Sequence, residues 1–191
     1  MPTEITLFFL ILIVSFPIII YRRLKKHFKS INHLHMQFVF ATNNQHKVDE
    51  IKAVLPDTIR VITLREAGIE IDIPEPHNTL EANASEKSTT IHRLTKQHCF
   101  SEDTGLEVAA LNGAPGVKSA RYAGEEADFQ RNVALLLANL NGQTNRQARF
   151  RTVISLILDE KEYFFEGICT GTILEQPTGE KGFGYDPVFV P

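Results

Sequence analysis

Ser101-Glu102-Asp103-Thr104-Gly105 sets two adjacent carboxylates at the end of an apolar run, followed by a hydroxyl and a glycine. In extended backbone, neighbouring side chains leave opposite faces, so Glu102 and Asp103 are poorly placed to act together on one bond as a glycosidase pair. One carboxylate facing a pocket while the other supports it is the more coherent arrangement. Carboxylate oxygens suit a hard cation, and magnesium is commonly held by one or two carboxylates together with phosphate oxygens and water. Glu75, between Pro74 and Pro76, is a further candidate ligand. The bland alternative is a capped turn with exposed acids.

Three other groups have residue types suited to a phosphorylated ligand. Thr42, Asn43 and Asn44 follow an apolar run and precede Lys47, where a strand would pass into a helix. A helix start presents free N–H groups and a positive dipole end to an anion. Thr42 and Asn44 can add side-chain donors, and Lys47 a charge. No Gly-rich Walker loop is present, and an ordinary cap followed by a solvated lysine would read the same. Asn83 and Lys87, four apart on a helix, share a face that could line a phosphate groove or simply meet solvent. Gly182-Phe183-Gly184-Tyr185-Asp186-Pro187 combines glycines that permit close approach, rings that could stack on a flat base, and a carboxylate acceptor. A tight aromatic turn is the structural alternative.

These groups need elements to hold them. The pattern predicts a strand over 37–41, a helix over 47–55 stopped by Pro56, and a strand over 59–63. Residues 72–77 form an extended proline-bounded loop, and a second helix covers 80–96 with Asn78 and Glu81 as a capping box. A short buried strand is entered over 97–101, with a continuation over 106–111 and a turn at 112–116. A third helix spans 127–140, its apolar stripe carrying Val133, Leu136, Leu137 and Leu140. Strands over 148–158 and 163–174 flank Asp159-Glu160-Lys161 as a hairpin, and 188–190 is strand-like. Alternating strands and helices plus a hairpin give an α/β fold with a mixed sheet.

A chain of 191 residues can bury a real core. Its formal net charge of -3 argues against a nucleic-acid-coating surface, which needs a basic stripe. A local pocket can still be basic. The cysteines Cys99 and Cys169 stand apart without CxxC or zinc spacing, and read as buried reduced thiols. Residues 5–21 are almost wholly apolar, and Arg22, Arg23, Lys25 and Lys26 follow. This just meets the roughly 17–25 residues a membrane-spanning helix needs, and the basic flank would keep the remainder in the cytoplasm. Alternatively, translation begins at Met36, which opens the first strand. Residues 1–35 are thus an apolar leader, and 36–191 the working domain.

Taken together and in this order, the groups resemble the inosine triphosphate pyrophosphatase family. The matching segments are Phe40-Ala41-Thr42-Asn43-Asn44-Gln45-His46-Lys47, Thr79-Leu80-Glu81-Ala82-Asn83-Ala84 with Lys87, Ser101 to Leu106, Gly113-Ala114-Pro115-Gly116 with Ser119-Ala120-Arg121-Tyr122, and Gly182 to Pro187. The resemblance implies a two-lobed α/β fold around a long twisted mixed sheet flanked by helices, usually homodimeric. It implies that Thr42, Asn43, Asn44, Gln45, His46 and Lys47 hold a triphosphate, helped by Asn83 and Lys87. Asp103 would be general base and magnesium contact, with Glu75 and Glu102 near the metal. Thr104 would touch the substrate, and Phe183, Gly184, Tyr185 and Asp186 would frame the base. The implied reaction is water attack on the α-phosphorus of inosine, deoxyinosine or xanthosine triphosphate, yielding monophosphate and pyrophosphate. Family members continue past this last loop through a lysine and a Ser-His-Arg segment, which this sequence lacks after Pro191. The expectation is a domain truncated at its C-terminus and poorly active alone. A nucleotide-binding protein without catalysis is the runner-up, and a related septum-associated pyrophosphatase acting on thymidine or uridine triphosphate a third reading.

Overall fold

The computed structural model describes residues 36–179 and 183–191, without the side chains of His46, Glu50 and Val54. The apolar leader and Gly182 therefore lie outside the described residues. Among those described, no helix is long and apolar enough to cross a membrane.

The strands are β1 (Met36–Phe40), β2 (Ile59–Ile62), β3 (Cys99–Val108), β4 (Pro115–Gly116), β5 (Gln147–Leu158), β6 (Lys161–Ile173) and β7 (Phe189–Val190). They form one sheet in the order β2-β1-β3-β5-β6-β7, with β4 beside β3. β1 runs parallel to β2 and β3, whereas β3–β4 and β6–β7 are antiparallel. The mixed sheet is the one the alternation predicts. Asp159 and Glu160 join β5 to β6 with φ of 49° and 60°, the left-handed pair a two-residue hairpin requires.

Among the described residues, three α-helices accompany the sheet: α1 (Gln45–Val54), α2 (Leu80–Thr95) and α3 (Phe129–Asn139). The starts of α1 and α3, and the cap of α2, differ from the sequence reading for local reasons. Asn44 caps α1, so that helix begins two residues before Lys47. Thr79, not Asn78, caps α2: its hydroxyl oxygen accepts the Ala82 N–H at 3.2 Å. Ala127 sits at φ 51° and cannot open α3, which Asp128 caps instead. The interruption expected between 101 and 106 is also absent. β3 runs unbroken because its acids, both buried, have charged partners and need no turn.

The chain divides into two compact units. In the first, described over 36–103 and Val153–Phe165, β1 sends alternate residues to opposite faces. Phe38 and Phe40 pack with Val48 and Ile51 of α1, Val61 and Phe100. Val39 and Ala41 pack with Ile91 of α2, Ile62 and Leu64. Both faces of this part of the sheet are thus covered, as parallel strands demand.

The second unit comprises Thr104–Thr152 and Glu166–Pro191. Here β4 passes so near β3 that a Cβ on Gly105 would stand 2.5 Å from the Gly116 carbonyl oxygen. That close approach is the physical reason for glycine after Thr104. Arg146 donates to the carbonyls of Leu140, Ile173 and Leu174, tying the end of α3 to the end of β6. Both cysteines are free thiols. Cys99 is buried as expected, but Cys169 is only half-buried, because the side chains of β6 alternate between exposed and half-covered.

Candidate active site

The start of α1 is built by short-range bonds. The Asn44 N–H donates to Thr42 Oγ1 at 3.1 Å, and the Lys47 N–H to Asn44 Oδ1 at 3.4 Å. Thr42 and Asn44 therefore act first as acceptors that shape the turn. Asn43 Nδ2 donates to the Ile71 carbonyl at 3.0 Å, and Gln45 Nε2 to Asp49 at 2.7 Å. His46 contributes backbone to the helix, and its side chain lies outside the description.

From α1, Lys47 reaches across 55 residues of sequence to pair with Glu102 in β3. From α2, Lys87 pairs with Glu75 on the 72–77 loop and stands 3.7 Å from Asp103 Oδ1. Asn83, one turn before Lys87, donates to Asp103 Oδ2 at 3.1 Å. Six residues predicted from sequence thus meet inside one unit: Lys47, Glu75, Asn83, Lys87, Glu102 and Asp103. Neither lysine is the solvated surface group of the bland alternative. Glu102 and Asp103 take different partners, in keeping with opposite directions from an extended strand.

Electrostatics follow from that crowding. Burial pushes the Asp103 carboxyl up to about 6; the Lys87 charge opposes this, the charges of Glu75 and Glu102 reinforce it, and the Asn83 hydrogen bond lowers it. Burial would lower Lys47, but Glu102, with smaller help from Asp103 and Glu75, more than offsets it and leaves the ammonium above its ordinary value.

The remaining predicted residues belong to the second unit. Thr104 and Thr152 share a hydroxyl–hydroxyl bond of 2.7 Å. Tyr185 is only 4 % exposed and donates its hydroxyl to the Ser119 carbonyl at 2.9 Å. It is a core anchor here rather than an open stacking face, and burial raises its pKa. Gly184 takes φ 62°, which turns the chain back after Phe183. Phe183 is 46 % exposed and meets Phe129 edge-on, with ring centroids 4.3 Å apart. Asp186 Oδ2 accepts the Phe183 N–H at 2.8 Å; burial raises this carboxyl, and that hydrogen bond partly opposes the rise.

Among the described residues, no group of three or more His, Cys, Asp or Glu side chains is placed to hold a metal ion. The donor set still fits magnesium, which needs one or two carboxylates and completes its shell with phosphate and water oxygens. Asp103, near enough to feel both Glu75 and Glu102, supplies such donors. Sequence reasoning missed Gly105 as a close-approach glycine and Ser119, whose Oγ accepts the Leu106 N–H at 2.8 Å. The adjacency of Asp103, Thr104 and Gly105 was the available signal for the first; for the second it was the place of Ser119 in the segment Ser119-Ala120-Arg121-Tyr122.

Known proteins resemble the chain over this whole region. The sequence profile of the Ham1 family matches residues 38–191. A dITP/XTP pyrophosphatase of Flavobacterium psychrophilum is 47% identical over 156 residues, covering 82% of each chain. One of Porphyromonas gingivalis is 49% identical over 156 residues, covering 81% of this chain and 80% of its own. Among solved structures, a HAM1 protein from Coxiella burnetii superposes with a TM-score of 0.75 at 35% identity, covering 81% of both chains. The Ham1 protein of Staphylococcus aureus gives a TM-score of 0.73 at 41% identity, covering 80% of both.

Proposed function

Because the chain belongs to the Ham1 family, we propose that it hydrolyses non-standard purine nucleoside triphosphates, namely deoxyinosine, inosine and xanthosine triphosphate, to the monophosphate and pyrophosphate. The observation that carries this reading is the interlocked set around Asp103, in which three carboxylates share two lysines. Polyphosphate hydrolysis needs both charges in one place: cations for the phosphates, and a carboxylate to take the proton of water.

In this reading Asp103 orients the attacking water and accepts its proton. Lys47 and Lys87 turn from carboxylates to phosphate oxygens, and the N–H groups at the start of α1, with Thr42, Asn43, Asn44, Gln45 and His46, hold the rest of the triphosphate. Asp103 would be the magnesium contact, with Glu75 and Glu102 near the ion. When bound, that ion supplies positive charge to the phosphates and makes water a better nucleophile. Thr104 touches the substrate, and Phe183, Gly184, Tyr185 and Asp186 frame the base, with Phe183 as the exposed ring. Selection against adenine rests on the 6-keto oxygen, since a site that hydrogen-bonds one group rejects its absence by as much as about 10⁴–10⁵. Guanine shares that oxygen, so its exclusion needs the 2-position. The working form is a homodimer in the cytoplasm.

With magnesium and deoxyinosine triphosphate, the protein is expected to release one pyrophosphate per monophosphate and no orthophosphate. Quantitative phosphorus NMR of the products checks this. Orthophosphate release, preference for thymidine or uridine triphosphate, or binding without turnover would each overturn the reading.

A further inference from the structure

We propose that Asn83 is a positioning residue whose carboxamide ties the 72–77 loop, and with it Glu75, to the carboxylate of Asp103. The inference rests on the functional reading above and gives Asn83 a role distinct from contact with phosphate.

Asn83 is 2% exposed. Its Oδ1 accepts the His77 N–H at 2.9 Å; its Nδ2 donates to the His77 carbonyl at 3.4 Å and to Asp103 Oδ2 at 3.1 Å. A carboxamide has two donor hydrogens and one acceptor oxygen. Both hydrogens and the oxygen are therefore engaged inside the protein, and the group has no donor to offer a phosphate.

The placement of these bonds gives them a purpose. The 72–77 loop has no helix or strand of its own, yet it carries Glu75. Helix α2 grips that loop twice from one face, through Asn83 at His77 and, one turn later, through Lys87 at Glu75. The same two side chains reach Asp103. A rigid helix thus fixes the loop acid and the strand acid relative to each other. The backbone bracket at His77 is the part that persists when Lys87 changes partner. Only asparagine has this set of groups at this length: aspartate keeps the acceptor but loses both donors, and alanine loses all three bonds.

The test uses the full chain with two variants and two readouts. One readout is amide hydrogen exchange at His77 in metal-free protein; the other is kcat and KM for deoxyinosine triphosphate with magnesium. Asn83→Ala is expected to speed His77 exchange by at least about tenfold and to lower kcat by about 100-fold, with KM within about threefold, as misplaced catalytic groups do. Asn83→Asp is expected to keep His77 protected while kcat falls at least as far, because the acceptor remains and the donor to Asp103 is gone. The carboxamide protons of the wild-type protein should exchange slowly by NMR, a measurement that needs no variant. A raised KM with unchanged kcat would assign Asn83 to phosphate binding and overturn the proposal. So would unaltered kcat in both variants, or wild-type carboxamide protons that exchange as freely as those of a surface asparagine. If the wild-type chain hydrolyses no triphosphate, the functional reading fails, and the exchange data still decide whether the bracket exists.

Discussion

Asp103→Asn is expected to lower turnover of deoxyinosine triphosphate by about 1,000-fold, within the range for loss of a general base, and at the same time to make the metal-free protein more stable. The two effects share one cause. Burial, reinforced by the charges of Glu75 and Glu102, lifts the Asp103 carboxyl from 3.8 to about 6 against the pull of Lys87. The folded chain then holds this proton more firmly than the unfolded chain does. Ionisation therefore works against folding. The cost is absent below about pH 4, grows as pH rises, and is complete above about pH 6. Two pKa units correspond to about 3 kcal/mol; allowing for relaxation, about 2 kcal/mol is the expected gain on substituting the neutral isostere. For a chain of this size that is about 4–8 °C in Tm at pH 7.5. Asparagine can still accept from Asn83 Nδ2, and Lys87 keeps Glu75. Thermal unfolding in chelator across pH 4 to 8 checks the prediction: the two proteins should converge at the acid end. A variant less stable at every pH would contradict it.

Lys87→Met acts in the opposite direction. It removes the cation that lies against Glu75 and 3.7 Å from Asp103, leaving the two acids without that shared counter-charge. Breaking a largely buried pair by removing one partner costs about 3 kcal/mol, and loss of the phosphate-facing charge should lower kcat/KM by about 100-fold. The stability part is separable from the catalytic part. Adding Glu75→Gln to Lys87→Met should return about 1–2 kcal/mol of stability, because one of the two opposed charges is gone, while activity stays low. A urea-unfolding cycle over the four proteins measures this coupling. Strictly additive costs would mean that Lys87 and Glu75 do not depend on each other.

Both predictions turn on contacts between residues distant in sequence, and that is where reading the chain from its letters reached its limit. β1 was visible as a short strand because burial on both faces leaves a continuous apolar run from Phe38 to Ala41. The β5–β6 turn was visible in Asp159-Glu160-Lys161, and α3 in its apolar stripe. The candidate residues were visible as types: acids on one strand, lysines and asparagines on two helices. Their partnerships were not. Nothing in the local pattern says that Lys47 meets Glu102 rather than water, since that pairing depends on β1 and β3 lying side by side. Asn83 looked like a groove-lining surface group because period alone gives a shared face and not its direction. Tyr185 looked free to stack because its anchor, the Ser119 carbonyl, is 66 residues away. The start of α3 slipped by two residues where left-handed Ala127 decided the entry, and the cap of α2 moved from Asn78 to the competing hydroxyl of Thr79 while its start at Leu80 held.

The site in water, with its charge borne by lysine–carboxylate pairs, and the site on a triphosphate must differ in which partner each lysine keeps. What does not differ is the identity of the atom attacked, and this can be read directly. Hydrolysis of deoxyinosine triphosphate by the magnesium-loaded protein in oxygen-18 water should place the label in deoxyinosine monophosphate and leave pyrophosphate unlabelled. Label in pyrophosphate or orthophosphate would mean that water attacks a different phosphorus, and the account of Asp103 as the base for α-phosphorus attack would be wrong.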